Sequence, residues 1–327
     1  MPGDPAPEPL PARDQSEIVA DWRSASDAAP RVSIVCATYQ HRLWIEDALR
    51  GFLGQRTTFP FEVLIRDDAS TDGTADVVRD YARRYPSIIR AWIEEKNTWP
   101  DQRTAFLLQP RARGQLIAYC EGDDYWADSG MLAAHVAAFD ADPTLAISHV
   151  PAVSVRDGLV LQNLDFRGDW TSTDALPHFP GIPLSALCAR NVPVPVPPMQ
   201  HRISSLDRFH LSVYAHAGRS IRVADAGPAV YRKHEGGTWS TLQPVESAAR
   251  VAESYAWIAR WWREQGNDEL AAQFELAAMR RLASVLPGVR ARVRRRNPGW
   301  MSFRRLVGRR VRRVAPGLHD WVVRRRW

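Results

Sequence analysis

Apolar runs of strand type alternate with amphipathic segments through the first 120 residues, and the runs break off at polar or acidic clusters. Val32–Ala37 (VSIVCA) reads as a buried strand that stops at Thr38-Tyr39-Gln40, and the following segment, Leu43–Leu53, is amphipathic. Phe61–Arg66 (FEVLIR) is rich in β-formers and runs straight into Asp67-Asp68. Asp72-Gly73 is a turn signal, Thr71 or Asp72 is placed to cap a helix, and that helix is expected over Ala75–Tyr85. Ile88–Ile93 is a third strand, a helix is expected around Arg103–Arg111, and Gln115–Cys120 is a fourth strand. This order predicts an α/β fold with a mostly parallel sheet and helices on both faces. Ligands of such sheets sit beyond the carboxyl ends of the strands. Thr38-Tyr39, Asp67-Asp68 and Asp123-Asp124 all fall at that edge.

The densest chemistry lies in Leu116–Trp126, LIAYCEGDDYW, where an apolar run ends in Glu121, Gly122, Asp123 and Asp124. Adjacent carboxylates repel, so folding alone gains nothing by gathering them. A divalent cation or a pair of sugar hydroxyls removes that cost, and hard oxygen ligands suit Mg²⁺ or Mn²⁺ over a soft metal. Gly122 reads as leaving room for a bulky ligand against the backbone. A solvated acidic turn would explain an isolated Asp-Asp. Here a second acidic strand end and a polar first strand end accompany it.

The 327 residues, 45% hydrophobic and 24% charged, have the composition of a globular protein with room for one large or two ordinary domains. No apolar run reaches the roughly 18 residues that a spanning helix requires. The opening MPGDPAPEPLPARDQ is proline-rich and acidic, without the basic-then-apolar order of a secretory signal, so residues 1–30 are expected as a disordered lead-in. Cys36, Cys120 and Cys188 are odd in number and scattered, which argues against a disulfide framework or zinc site and for a reducing cytosol.

The net charge of +6 is unevenly spread: Arg290–Trp327 holds fourteen arginines and one acid, which is +13 and leaves the rest at −7. Pro151–Met199 shows little pattern and closes on NVPVPVPPM; an acceptor pocket would be built there. Val245–Val285 reads as a helical hairpin, with Tyr255, Ile258 and Trp262 on one stripe, a break at Gly266-Asn267, and Leu270, Phe274, Leu276 and Ala277 resuming it. Beyond it, Trp300, Phe303 and Trp321 interleave with the arginines. That composition suits an anionic membrane surface, where each nearby arginine contributes ~1 kcal/mol. A partnerless arginine tail ranks second and nucleic-acid binding third.

Taken in order, VSIVCATYQ, FEVLIRDDASTDGT and GQLIAYCEGDDYW resemble the nucleotide-sugar domain of family-2 glycosyltransferases, which have the GT-A fold. VYRKHEGGTWS (Val230–Ser240) looks like the closing motif of a bacterial branch of that family. The resemblance covers roughly Val32 to Ser240. It implies a GT-A domain over 31–242; the pattern read above then sets the helical hairpin over 243–288 and the arginine-rich amphipathic tail over 289–327.

The resemblance also implies roles. Thr38, Tyr39, Asp67, Asp68, Arg103, Asp123 and Arg232 would bind the nucleotide-sugar. Among them Tyr39 would lie beside the nucleobase, Asp68 would accept its ring N–H, and Arg103 would serve the phosphate or base side. Asp123 would hold the ribose, and Arg232 would sit in a loop over the diphosphate. Asp124 would bind the metal, with His234 completing its shell, and Asp207 would be the catalytic base of an inverting transfer. Two departures stand out: Glu121-Gly122-Asp123 replaces the usual Asp-X-Asp, and Ala37 and Gln40 replace the usual Pro or Thr and Asn around Tyr39.

The expected activity is therefore a Mn²⁺- or Mg²⁺-dependent transfer from a UDP-sugar or other nucleotide-sugar to a hydroxyl of a glycan or lipid-linked envelope precursor. The expected place is the cytoplasm, with the tail on the inner face of the cell membrane. Two rivals are a sugar-phosphate nucleotidyltransferase and a non-catalytic nucleotide-sugar- or glycan-binding protein. The first needs a glycine-rich basic loop after the first strand, and Thr38–Leu43 has one arginine and no glycine.

Overall fold

The structure is a computed structural model that describes residues 1–23, 28–99, 101, 104–165, 169, 171, 182–237, 239 and 242–285. The chain divides into two compact units. The first holds the described residues of 1–171, 182–196 and 213–233, and the second those of 197–212 and 234–285.

The first unit begins with a short helix, α1 (Gln15–Ala20), and then alternates as the sequence predicts. β1 (Val32–Thr38), α2 (Ile45–Leu53), β2 (Phe61–Asp67), α3 (Thr74–Arg84), β3 (Ile89–Ile93), α4 (Thr104–Leu108) and β4 (Leu116–Tyr119) follow one another. After β4 come β5 (Tyr125–Trp126), α5 (Met131–Ala141), β6 (Leu145–His149), β7 (Ala152–Arg156), β8 (Leu159–Leu164) and β9 (Leu187–Arg190). α6 (Leu206–Tyr214) starts in the second unit, and β10 (Arg219–Arg222) and β11 (Ala229–Arg232) return to the first.

Among the described residues, seven strands form one sheet in the order β10-β6-β9-β4-β1-β2-β3. β1 pairs in parallel with both β2 and β4, β2 with β3, and β6 with β10, whereas β9 runs antiparallel between β4 and β6. β1 and β2 are buried almost throughout, as their continuous β-branched runs require of strands covered on both faces. A second sheet has the order β5-β11-β7-β8. α3 and α4 pack on the β1-β2-β3 side of the large sheet and α5 on β6, while α2 packs against β5, so the architecture is the mostly parallel, helix-flanked α/β arrangement expected. No helix among the described residues is long and apolar enough to cross a membrane.

The second unit contains the hairpin of α7 (Pro244–Glu264) and α8 (Asp268–Val285). The turn between them carries Gly266 at φ +79°, a left-handed conformation that glycine adopts without strain. Tyr255 meets Phe274 edge-on at 5.6 Å, and Arg263 bonds Glu275 at 2.8 Å. Phe209 and Trp261 pack edge-on at 4.9 Å, and Trp262 Nε1 donates to the Ser212 hydroxyl at 3.0 Å.

Four expectations need correction. The lead-in is not disordered over residues 1–23: Ile18 and Trp22 are buried, and Trp22 packs edge-on against Phe61 at 6.0 Å. The two apolar anchors supply what the proline-rich composition conceals. The cap of α3 is Gly73, at φ +97°, while Asp72 accepts the amide of Thr74 at 3.0 Å. Among the described residues, the helix expected around 103–111 is α-helical over Thr104–Leu108 and continues as a 3-10 turn over Gln109–Arg111, because Pro110 lacks the amide that an α-helix would use. Pro151–Met199, read as patternless, contains β7, β8 and β9.

Candidate active site

β1 and β2 end in register, with Thr38 beside Asp67, and the amide of Asp68 donates to the Thr38 carbonyl at 3.0 Å. On the other flank of β1, the amides of Cys120 and Gly122 donate to the carbonyls of Val35 and Ala37 at 3.2 and 2.8 Å. Thr38, Asp67-Asp68 and the turn Glu121–Asp124 therefore share one carboxyl edge of the sheet. Gly122 is not open to a ligand. A Cβ there would lie 2.8 Å from both Cβ and Oγ1 of Thr38 and 2.9 Å from Ile45 Cδ1, so glycine serves the close approach of this turn to β1. The Thr38 hydroxyl is buried and has no hydrogen-bond partner among the described residues.

The loops after β1 and β2 are fastened to each other. The Gln40 side-chain carbonyl accepts the amides of Thr71 and Asp72 at 2.9 and 3.2 Å, and the Gln40 amide donates to the Ser70 hydroxyl at 2.8 Å. The His41 amide donates to Thr74 Oγ1 at 2.9 Å, and the Arg42 amide to Asp72 at 3.0 Å. Gln40 and Ala69 hold φ of +58° and +67°, strained for side-chain-bearing residues and sustained by these bonds. The fastening leaves Tyr39 44% exposed at the edge.

Asp67 is fully buried and turns the chain by accepting the amide and hydroxyl of Ser70. Asp68, also buried, accepts the Thr98 amide and hydroxyl at 3.1 and 3.0 Å and the Trp99 amide at 3.1 Å. Beneath it Arg66, 1% exposed, pairs with Asp68 at 3.1 Å and Glu94 at 2.9 Å. Asp68 thus ties β2 to the loop after β3.

Asp124 is buried and accepts the backbone amide of Arg232 on Oδ1 at 2.9 Å. Burial first, then the charges of Asp123 and Glu121, raise its carboxyl well above the ordinary carboxylate range. The same acids, behind a larger effect of burial, push up the thiols of Cys36 and Cys120. The carboxyl edge is a region of concentrated negative potential. Asp123 Oδ2 lies 3.6 Å from Nε2 of His41.

The turn is anchored on both sides. Trp126 is fully buried, donates Nε1 to the Ser185 carbonyl at 2.7 Å, and meets Phe52 of α2 edge-on at 5.1 Å. Arg232 donates to the Asp123 carbonyl at 3.1 Å, pairs with Asp47 of α2, and lies 4.2 Å over the Tyr125 ring. Its guanidinium is thus engaged by the floor of the site.

Of the residues singled out from sequence, Thr38, Tyr39, Asp67, Asp68, Asp123, Asp124 and Arg232 belong to the first unit. Arg103 and the tail Arg290–Trp327 lie outside the described residues. Asp207 and His234 belong to the second unit. Asp207 stands in the first turn of α6, where its charge suits the helix dipole, with Arg208 Nε at 3.5 Å. His234 opens a turn closed by the Gly237 amide on its carbonyl at 3.1 Å. Sequence reasoning missed His41, Asp47 and Tyr125, and noted Gln40 only as a departure from the family pattern. The position of His41 just past a strand end was a usable signal; Asp47, on a helix far from Arg232 in sequence, gave none.

Among the described residues no group of three or more His, Cys, Asp or Glu could hold a metal on protein ligands alone. The donors that gather here are hard carboxylate oxygens around a buried Asp124 made costly by its neighbours. That set fits a hard divalent ion that would be held by one or two carboxylates and would take its other oxygen ligands from outside the protein.

Residues 33–200 match the family described as Glycosyl transferase family 2. An uncharacterized protein of Mycobacterium tuberculosis is 35% identical over 212 residues, covering 64% of this chain and 60% of that protein. The chain therefore matches about three fifths of the length of that curated relative. TarS of S. aureus in complex with UDP-GlcNAc superposes with a TM-score of 0.55 at 17% identity, over 90% of this chain and 84% of that one. The mannosyltransferase PcManGT from Pyrobaculum calidifontis, in complex with GDP-Man and Mn²⁺, gives 0.51 at 18% identity, over 98% and 88%. At these identities the two structures establish a shared fold.

Proposed function

The chain belongs to glycosyl transferase family 2, and we propose that it transfers a sugar, with inversion, from a nucleotide-sugar, in our reading a UDP-sugar, to an acceptor hydroxyl. We further propose that the acceptor is a glycan or a lipid-linked envelope precursor. The observation that carries the reading is the acidic turn. Asp124 is buried against Asp123 and Glu121 at the strand edge, an arrangement that a cation and a diphosphate would stabilise and that water would not.

In this reading Asp124 and His234 are the protein ligands of Mn²⁺ or Mg²⁺. The ion would supply positive charge against the diphosphate that departs from the anomeric carbon. Asp123 orients the ribose, and Tyr39 offers an exposed aromatic face to the nucleobase. Thr38, Asp67 and Asp68 shape the wall beside that base, and Arg103 answers phosphate charge. Asp207 takes the proton of the acceptor hydroxyl as its oxygen attacks. The arginine-rich tail, at +13, would hold the enzyme on the cytoplasmic face of an anionic membrane. Deleting 290–327 should release the protein from phosphatidylglycerol vesicles, and unchanged co-sedimentation would end that part of the reading.

Calorimetric titration of the full chain with UDP-sugars in the presence of Mn²⁺ tests the site. The wild type should bind a UDP-sugar only with metal, and Asp124→Ala should lose binding while keeping the wild-type circular dichroism spectrum. Metal-independent binding, or binding undiminished in Asp124→Ala, would refute the assignment.

A further inference from the structure

We propose that Asp47 and Arg232 act as a positioning pair that sets the direction of the acidic turn, so that Asp124 presents its carboxylate to the metal–diphosphate group. The inference rests on the glycosyltransferase reading above; it adds Asp47 and gives Arg232, whose guanidinium is held by Asp47, the Asp123 carbonyl and the Tyr125 ring, a positioning role in place of the donor contact expected from sequence. β5 and β11 pair over only two positions, Tyr125 with Val230 and Trp126 with Ala229. A ladder that short is a weak hold on the residues preceding it. Arg232 extends it: its amide bonds Asp124, and its guanidinium bonds the Asp123 carbonyl.

The other end of the guanidinium pairs with Asp47, which stands in the first turn of α2. The Tyr125 ring lies beneath it at 4.2 Å. Three elements of the first unit, α2, β5 and β11, thus meet on one planar cation. Both charged side chains are largely withdrawn from solvent, at 16% exposure for Arg232 and 24% for Asp47. A lysine could not bridge the same partners, because its single ammonium lacks the planar fork of donors and the flat face that stacks on a ring. Without Asp47 the guanidinium would be free to swing toward Asp123 and Asp124. It would then compete with a cation for their oxygens instead of holding their backbone.

The test uses the purified full chain as wild type, Asp47→Asn, Asp47→Glu, Arg232→Lys and the Asp47→Asn/Arg232→Lys double variant. Mn²⁺ binding is followed by electron paramagnetic resonance in the presence of UDP, thermal melts report folding, and KM is measured separately for Mn²⁺ and for donor. Asp47→Asn and Arg232→Lys should weaken Mn²⁺ binding by about tenfold while melting cooperatively, with the change in KM concentrated on the metal. Asp47→Glu should recover part of the loss, and the double variant should be no weaker than the worse single variant. Folded variants with wild-type Mn²⁺ affinity, or losses that add in the double variant, would overturn the pair alone. A wild type that fails to bind Mn²⁺ with UDP would overturn the underlying reading and the pair with it.

Discussion

Acid should destabilise the first unit through one buried histidine. His135 of α5 is 2% exposed, with Nδ1 2.7 Å from the Ser148 hydroxyl. Burial, and then the neighbouring His149, lower its pKa from 6.5 to about 3. A histidine with a depressed folded pKa binds fewer protons folded than unfolded. Its contribution is complete above the unfolded pKa and is lost as pH falls toward the folded one. Each pH unit in that window costs about 1.4 kcal/mol, so roughly 2 kcal/mol is gone by pH 5. Carboxylates titrate in the same range, and the comparison must cancel them. Urea unfolding of wild type and His135→Gln at pH 8 and pH 5 does so. The wild type should lose about 2 kcal/mol more than the variant between the two. Equal losses would mean that His135 is protonated in the folded state, and the argument would fail.

Gly122→Ala should lower stability by about 1–3 kcal/mol in urea melts, since its methyl group meets Thr38 and Ile45 inside 3.0 Å. Arg66→Leu leaves Asp68 buried without its cation and should cost about 3–5 kcal/mol in the same measurement, with faster amide exchange at Thr98 and Trp99. Asp124 carries a raised folded pKa, so it favours folding in acid and opposes it increasingly as pH climbs past the ordinary carboxylate range. Asp124→Asn should therefore raise the melting temperature of metal-free protein at pH 7, and a fall would contradict the crowding argument. Asp207→Asn should bind donor as the wild type does yet lose at least a hundredfold in transfer; normal turnover would remove Asp207 as the base.

The parts of the fold legible in the sequence were those where a burial period ended at a chemical discontinuity. β1, β2 and β4 are apolar runs cut off by Thr38, Asp67-Asp68 and the Glu121–Asp124 turn, so both the strands and their functional ends were readable. β8 was not, because Leu159 and Leu161 are exposed while Val160 is buried, and apolar residues on both faces erase the alternation. The acids of the site were visible as residue types, but their partners were not. Asp47 and Arg232 are 185 residues apart, and nothing local marks either as the other's counterion. Gly122 reads in the sequence as room for a ligand, whereas in the fold it lets the acidic turn pack against β1.

The amino-terminal arm has a consequence for solubility. β8 is the outermost strand of the smaller sheet, and Pro5 bridges to it at Leu159, with the Gly3 and Ala6 amides donating to the Val160 and Gly158 carbonyls at 2.7 and 2.8 Å. The first six residues therefore occupy hydrogen-bonding positions that another polypeptide would otherwise take. Trimming them would uncover a strand margin flanked by Leu159 and Leu161, which invites edge-to-edge association between molecules.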